Sequence, residues 1–266
     1  MVAAGPRDRR AGASGPGPRT PSGRRAGGAQ QPAADGRTAA SRRRSAALTR
    51  RARQVNAILT DYYGEPTRSD GRADPLSELV AVILSQHTSD VNSERAFDSL
   101  RDRFPSWEAI RTAPTAEVAE AIRCGGLAIV KAPRIQRVLN QILELRGELS
   151  LDFLADLSLD EARAFLRALD GVGPKSAACV LLFSLDKPAM PVDTHVHRVA
   201  GRLGFIEPRT TADAAHEQLE RMVPPDEVYA FHVNLIRHGR AICKAQRPRC
   251  PQCPVNALCP YPAKTV

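Results

Sequence analysis

Leu169-Asp170-Gly171-Val172-Gly173-Pro174-Lys175-Ser176-Ala177 reads as a tight turn between two helices. Upstream, Ser158 and Glu161 stand three residues apart, the spacing of a capping box, and predict a helix running to about Leu169. Downstream, Pro174 suits the first turn of a second helix, where its missing N–H would have had no partner, and the apolar run continues to about Leu185. Gly171 and Gly173 let the connection take positive φ and come close to a ligand. A glycine turn opening onto a helix N-terminus points N–H donors outward, which makes it a seat for a phosphate, here expected to be that of a nucleic-acid backbone. Lys175 breaks a local rule, because a cation in the first helical turn faces the positive end of the macrodipole. A residue that breaks such a rule is a candidate for function. An amine in that field gives up its proton more readily, and the neutral amine is the nucleophile. The alternative is a surface lysine that touches phosphate.

The rest of the chain punctuates into short helices. Leu48, Val55, Ile58, Leu59 and Tyr62 fall at helical spacing before Gly64, and order is expected to begin near Ala46–Thr49. Asp74-Pro75 opens a helix with the stripe Leu79, Val82, Ile83 and Leu84, ending in the polar run Ser85-Gln86-His87-Thr88-Ser89-Asp90. Asp90 is expected to cap a helix to about Arg103, Ser106 a short one to Arg111, and Pro114-Thr115 to open one that stops at Gly125-Gly126. Pro133 is expected to open a helix to Arg146, Asp193 to cap one ending at Gly204, and two more to span about 211–222 and 225–238, closed by Gly239. No alternating strand pattern of any length occurs, so the fold class is all-α with short loops.

The composition agrees, with 42% hydrophobic residues, only 5% aromatics, and a core left to Leu, Ala, Val and Ile. No run is apolar enough to span a bilayer and no secretory segment is apparent, so no membrane partner is expected. The net charge of +9 sits entirely in the first fifty residues, which hold eleven arginines against Asp8 and Asp35. That segment is Gly-, Pro- and Ala-rich and is expected to be a disordered tail over residues 1–47, either dispensable or a salt-sensitive basic arm. The remainder is neutral on balance, so any nucleic-acid surface on it must be local.

Of six cysteines, Cys124 and Cys179 stand alone in apolar surroundings and are expected to be small core residues. Cys243, Cys250, Cys253 and Cys259 follow a C-x6-C-x2-C-x5-C pattern interleaved with Pro248, Pro251 and Pro254. Four thiolates in one short segment form a loop built around a metal, either Zn²⁺ or an iron–sulfur cluster. One C-x2-C knuckle with wide arms leans toward [4Fe–4S], since zinc ribbons pair two knuckles. Arg237, Arg240, Lys244, Arg247 and Arg249 surround this segment with no Asp or Glu after Glu227, which balances the thiolates or forms a phosphate patch.

These pieces together resemble the endonuclease III family of helix-hairpin-helix DNA glycosylases. The hairpin, then Val192-Asp193-Thr194-His195-Val196-His197-Arg198-Val199, then the cysteine tail carry the resemblance, which covers about residues 48–262. It implies two helical lobes with a DNA cleft between them. One is a six-helix barrel (71–187) containing the hairpin at about 159–185. The other is an iron–sulfur lobe (48–70 plus 188–266). It implies Lys175 as nucleophile, Asp193 as second catalytic group, and Cys243, Cys250, Cys253 and Cys259 as ligands of a [4Fe–4S] cluster. Gly171, Val172, Gly173, Thr194 and His195 are implied DNA contacts. Gln86 and His87 fall in the loop that fills the gap left by a flipped base. Relatives place a glutamine at the wedge position, where this chain aligns His87.

The resemblance implies removal of oxidised pyrimidines from double-stranded DNA containing damaged bases or abasic sites, and strand cleavage 3′ to the site by β-elimination through a lysine Schiff base. A monomer in a bacterial cytoplasm, associated with the nucleoid, is the expected setting. A mismatch- or adenine-type glycosylase of the same superfamily is the nearest alternative. Adenine-excising members carry a catalytic Glu in the helix before the loop, where Leu79–Leu84 is apolar here. A zinc-bound DNA-binding module without catalysis is the alternative from another class.

Overall fold

The computed structural model describes residues 39–68 and 73–261. The described residues form helices α1 (Ala39–Tyr63), α2 (Pro75–Ser85), α3 (Asp90–Arg103), α4 (Trp107–Thr112), α5 (Thr115–Ala121), α6 (Ala128–Arg146), α7 (Leu159–Ala168), α8 (Pro174–Phe183), α9 (Thr194–Arg202), α10 (Ala212–Met222) and α11 (Val228–Ala241), with five short 3₁₀ turns and no strand.

Side chains spelled out by the sequence cap five of these eleven helices. Asp74 accepts from the backbone N–H groups of Leu76 and Ser77, Ser106 from Ala109, Thr211 from Ala214, and Asp193 from Val196. Four expectations are corrected. First, α1 begins at Ala39, because Ala39–Ala47 is a run of Ala, Arg and Ser with no Gly or Pro to stop a helix anchored further on. The tail expected over 1–47 otherwise lies outside the described residues. Second, α6 begins at Ala128, and Pro133 lies inside it. Its added first turn carries Lys131, whose ammonium makes three buried hydrogen bonds, and that tertiary gain outweighs the bond lost at proline. Third, α11 runs through Gly239, which lies where α9 crosses; a Cβ there would stand 3.0 Å from the His195 Cβ. Fourth, Cys124 is exposed in a 3₁₀ turn, whereas Cys179 is buried as expected.

Two hydrophobic cores result. The first is built by α2 to α8, with Leu79, Ile83, Leu100, Ile135, Leu139 and Leu166 at its centre. The second joins α1 to α9, α10 and α11 through Val55, Leu59, Val199, Leu219, Phe231 and Leu235. Helix α8 feeds both, with Val180 and Leu181 in the first and Leu182 in the second. Ion pairs tie the halves together: Asp90 to Arg240 at 2.6 Å and Glu220 to Arg163 at 2.8 Å.

Candidate active site

The hairpin is held from beneath by α6. The backbone N–H of Asp170 donates to Gln141 Oε1 at 2.8 Å, and Arg137 Nε donates to the Asp170 carboxylate at 2.7 Å. The capping box at the head of α7 is complete, with Glu161 N–H donating to Ser158 Oγ and the Glu161 carboxylate accepting from Ser158 N–H. The two glycines differ in kind. Gly171 has φ +71°, and a Cβ on it would come within 2.7 Å of Arg134 Nε. Gly173 has φ −85° and ψ 179°, ordinary extended backbone, and a Cβ on it would meet nothing within 4 Å. Nothing inside the protein requires glycine at 173, and the absence of a side chain there leaves the backbone open to a close approach from outside. Val172 is buried with its side chain in the first core, leaving only its backbone near the turn surface.

Lys175, second residue of α8, lines a cavity of about 500 Å³ between α2, α3 and α8, together with Glu78, Val82, Ser85, Ser93 and Cys179. The Cys179 thiol, buried one turn below, is pushed up to about 11 by burial, against the pull of the Lys175 ammonium, with which it hydrogen-bonds. Asp193 also acts on the same thiol, so the charges of Lys175 and Asp193 are both felt at Cys179. Behind them lies His232, 2% exposed, which burial lowers to about 4 while Asp193 opposes the shift. The segment leading to Asp193 is clamped. Met190 N–H donates to Glu220, Met190 carbonyl accepts from His216 Nδ1 at 2.6 Å, and Pro191 carbonyl accepts from His232 Nδ1 at 3.0 Å. Asp193 uses Oδ1 to cap α9, accepting from Val196 N–H at 2.7 Å, which leaves Oδ2 for other chemistry.

The polar run after α2 separates into an inward and an outward residue. Gln86 is turned in: its Oε1 accepts from Arg134 at 2.7 Å and its Nε2 reaches Ser176 Oγ at 3.4 Å. His87 is exposed, with φ +54°. Below the loop, Lys131 is 2% exposed and donates to Leu84 carbonyl (2.7 Å), Thr88 Oγ1 (2.6 Å) and Gly125 carbonyl (2.9 Å). Burial lowers its pKa, and its acceptors are the last carbonyls of α2 and neighbouring oxygens, where a helix C-terminus favours a cation. The same clamp brings up Leu127, 54% exposed at φ +53°. Two exposed non-glycine residues in the left-handed region, on loops that Lys131 ties together, mark a strained edge.

Thr194 is exposed at the start of α9, while His195 is half-buried, packs on Gly239 and meets Arg198 at 3.1 Å. Sequence reasoning missed Glu78, Leu127, Lys131, Arg134 and His232. Glu78 alone carried a signal, as the one acid on an otherwise apolar helix, four residues before Val82.

Cys243, Cys250, Cys253 and Cys259 line one small cavity walled by Val199, Leu203, Ile242 and Val255, and none is in a disulfide. The Cys253 thiol is pushed up to about 11, first by burial and then by the other three thiols, so the four sulfurs sense one another. Arg202 reaches Cys243 Sγ at 3.3 Å and His238 Nε2 lies 3.5 Å from Cys253 Sγ. Among the described residues no three ligating side chains are gathered around a point that would hold a single metal ion. Four thiols around a space, with cationic and N–H groups at the sulfurs, are a donor set that could hold either a [4Fe–4S] cluster or a tetrahedral zinc ion.

A family model described as HhH-GPD superfamily base excision DNA repair protein matches residues 80–225. A protein of Arabidopsis thaliana named as a candidate DNA glycosylase is 40% identical over 168 residues, which span 63% of this chain and 57% of that one. Endonuclease III of Thermotoga maritima is 33% identical over 194 residues, 73% of this chain and 86% of that one. Among solved structures, a non-covalent endonuclease III–DNA complex superposes with a TM-score of 0.69 and 29% identity, covering 80% of this chain and 95% of that one.

Proposed function

Because this chain belongs to the HhH-GPD superfamily of base excision DNA repair proteins, we infer that it is a DNA glycosylase with AP lyase activity, acting on double-stranded DNA that contains damaged bases or abasic sites. The placement of Lys175 supports the reading: a primary amine at a helix N-terminus, on the wall of a cavity roomy enough for a base, in a region whose field Asp193 shares and adjoining an unobstructed Gly173. Phosphate seated on the hairpin N–H groups would register the strand. The damaged nucleotide leaves the stack, since its glycosidic bond is out of reach inside the duplex. His87 and Leu127, exposed on the tied loops, fill the space it vacates. Gln86 braces the loop from within.

As the glycosidic bond breaks, positive charge grows on the sugar, and Asp193 Oδ2 stabilises it. Asp193 takes a proton from Lys175, whose amine bonds to C1′ as the base departs with the electron pair of the glycosidic bond; opening of the C1′–O4′ bond, with O4′ taking up a proton, then gives the Schiff base. β-Elimination then cleaves the strand 3′ to the site. Oxidised pyrimidines are the proposed substrates. The four cysteines would hold a [4Fe–4S] cluster, which supplies a cross-link for residues 243–259 that the few apolar side chains there do not supply. A monomer in a nucleoid-associated, bacterial setting is the accompanying proposal; no described helix is long and apolar enough to cross a membrane.

Borohydride trapping on abasic duplex DNA tests the nucleophile. Wild type forms a covalent adduct, and Lys175→Gln binds the duplex but forms none; equal adduct in both removes the Schiff-base assignment. Iron and acid-labile sulfide in the purified protein support the cluster, and zinc in their place supports the non-catalytic module.

A further inference from the structure

We propose that Tyr63 and His238 form a one-way hydrogen-bond relay onto the Cys253 sulfur, in which the Tyr63 phenol sets the imidazole tautomer so that its Nε2–H donates to the thiolate and raises the reduction potential of the bound cluster. This rests on the reading above of the four cysteines as ligands of a [4Fe–4S] cluster.

Two contacts share one ring. Tyr63 Oη lies 3.1 Å from His238 Nδ1, and His238 Nε2 lies 3.5 Å from Cys253 Sγ. His238 is 2% exposed and lines the cysteine cavity beside Val199, Leu203 and Ile242, surroundings that favour the neutral ring. A neutral imidazole has one N–H, and the partner of the other nitrogen decides which atom carries it. With the proton on Nδ1, the Nε2 lone pair would face a ligating thiolate, which can only accept. With the proton on Nε2, Nδ1 must accept, and the phenol is the donor placed to satisfy it. Burial first, and then Tyr62 and the cysteine sulfurs, push the Tyr63 hydroxyl up to about 12, so it keeps its proton.

A second donor in the same cavity shows why a phenol is needed. Arg202 reaches Cys243 Sγ at 3.3 Å and also donates to the Lys244 and Ala245 carbonyls at 2.6 and 3.0 Å. A guanidinium donates in every state, so nothing has to orient its protons. An imidazole donates from Nε2 in only one of its two neutral forms. Helix packing fixes the relay. Tyr63 is the last residue of α1, which α11 holds through Asn234, donating to Asn56 at 2.9 Å and to Thr60 at 2.8 Å one turn before Tyr63. Just past Tyr63, Arg237 donates to the Gly64 carbonyl at 3.0 Å. The His238 carbonyl accepts from Cys243 N–H at 2.8 Å, so one residue of α11 reaches two of the four ligand residues. A donor at a ligating sulfur draws charge from it, which favours the more negative, reduced cluster and holds the ligand in place.

The test compares wild type, Tyr63→Phe, His238→Gln and the double variant, each as the full chain. Two quantities are read: the reduction potential by voltammetry, and the rate at which the cluster's visible absorbance is lost to ferricyanide and chelator. Tyr63→Phe keeps the ring and removes only the donor. It should lower the potential and lose the cluster about tenfold faster, the cost typical of deleting an outer hydrogen bond at a metal site. Gln carries an amide N–H in place of Nε2–H and has no tautomer to set, so Tyr63→Phe should move neither quantity in the His238→Gln background. An unchanged potential in Tyr63→Phe, or a shift of the same size in both backgrounds, would overturn the relay. A loosened α1 alone would speed cluster loss in both backgrounds and leave the potential in place, which also overturns it. If His238→Gln does not fold, the potential of Tyr63→Phe decides alone. Metal analysis of the same samples separates the two failures: zinc removes the cluster reading, whereas iron and sulfide with an unmoved potential remove only the relay.

Discussion

Gly171 and Gly173 look alike in sequence and do different work. At 171 the backbone sits at φ +71° and Arg134 fills the space a Cβ would take, so Gly171→Ala should destabilise the fold by about 1–2 kcal/mol. At 173 neither φ nor space forbids a side chain, so Gly173→Ala should leave the melting temperature within a degree or two while weakening duplex binding about tenfold or more. Thermal melts paired with binding titrations read both, and a Gly173→Ala protein that melts early but binds normally would remove the external-ligand argument. Asp193 shows the same economy at a single carboxyl group, with one oxygen capping α9 and the other not used by that cap.

Among elements, the informative joint is between the end of α2 and the start of α6. Lys131 is buried without a carboxylate, and its ammonium replaces water with three oxygens from three places in the chain. Lys131→Met keeps the volume and strands those acceptors, so it should cost about 2–3 kcal/mol. Its characteristic consequence is local: amide exchange in residues 85–90 and 124–128 should accelerate more than in the core helices. Exchange that rises uniformly, or not at all in those loops, would mean that Lys131 does not position the edge carrying His87 and Leu127. Arg134 makes the neighbouring link, joining Gln86 to the underside of Gly171, so the loop and the hairpin rest on adjacent turns of α6.

At the level of the whole molecule, the two cores meet at α8, which carries Lys175, and a buried imidazole lies near the joint. His232, brought beneath Asp193 by α11, is held neutral by burial, with its pKa lowered to about 4 from an ordinary 6.5. A depressed folded-state value means that the unfolded chain binds the extra proton between those two values. The contribution is therefore fully present above pH 6.5 and is lost as pH falls toward 4, on the order of 3 kcal/mol in all. His232 should show no imidazole titration by NMR above about pH 5. The denaturation midpoint of a His232→Gln protein should fall less steeply over that range than that of wild type. A His232 resonance titrating near 6.5 would contradict the burial argument.

Most helix starts were legible in the sequence because a cap is a local event: Asp74, Ser106, Ser158, Asp193 and Thr211 bond to N–H groups two or three residues away. The hairpin, Lys175, Asp193 and the cysteine spacing were legible for the same reason, since each is a short run with its own chemistry. Tertiary structure decided whatever depended on groups far apart in the chain. It turned Gln86 inward and His87 outward, started α6 a full turn before its proline, ran α11 through a glycine expected to end it, and brought Glu78 and Lys175 to the lining of one cavity. Periodicity tells which face of a helix is apolar, but not which polar group on another helix will face it across a cavity; that follows only once both cores have packed.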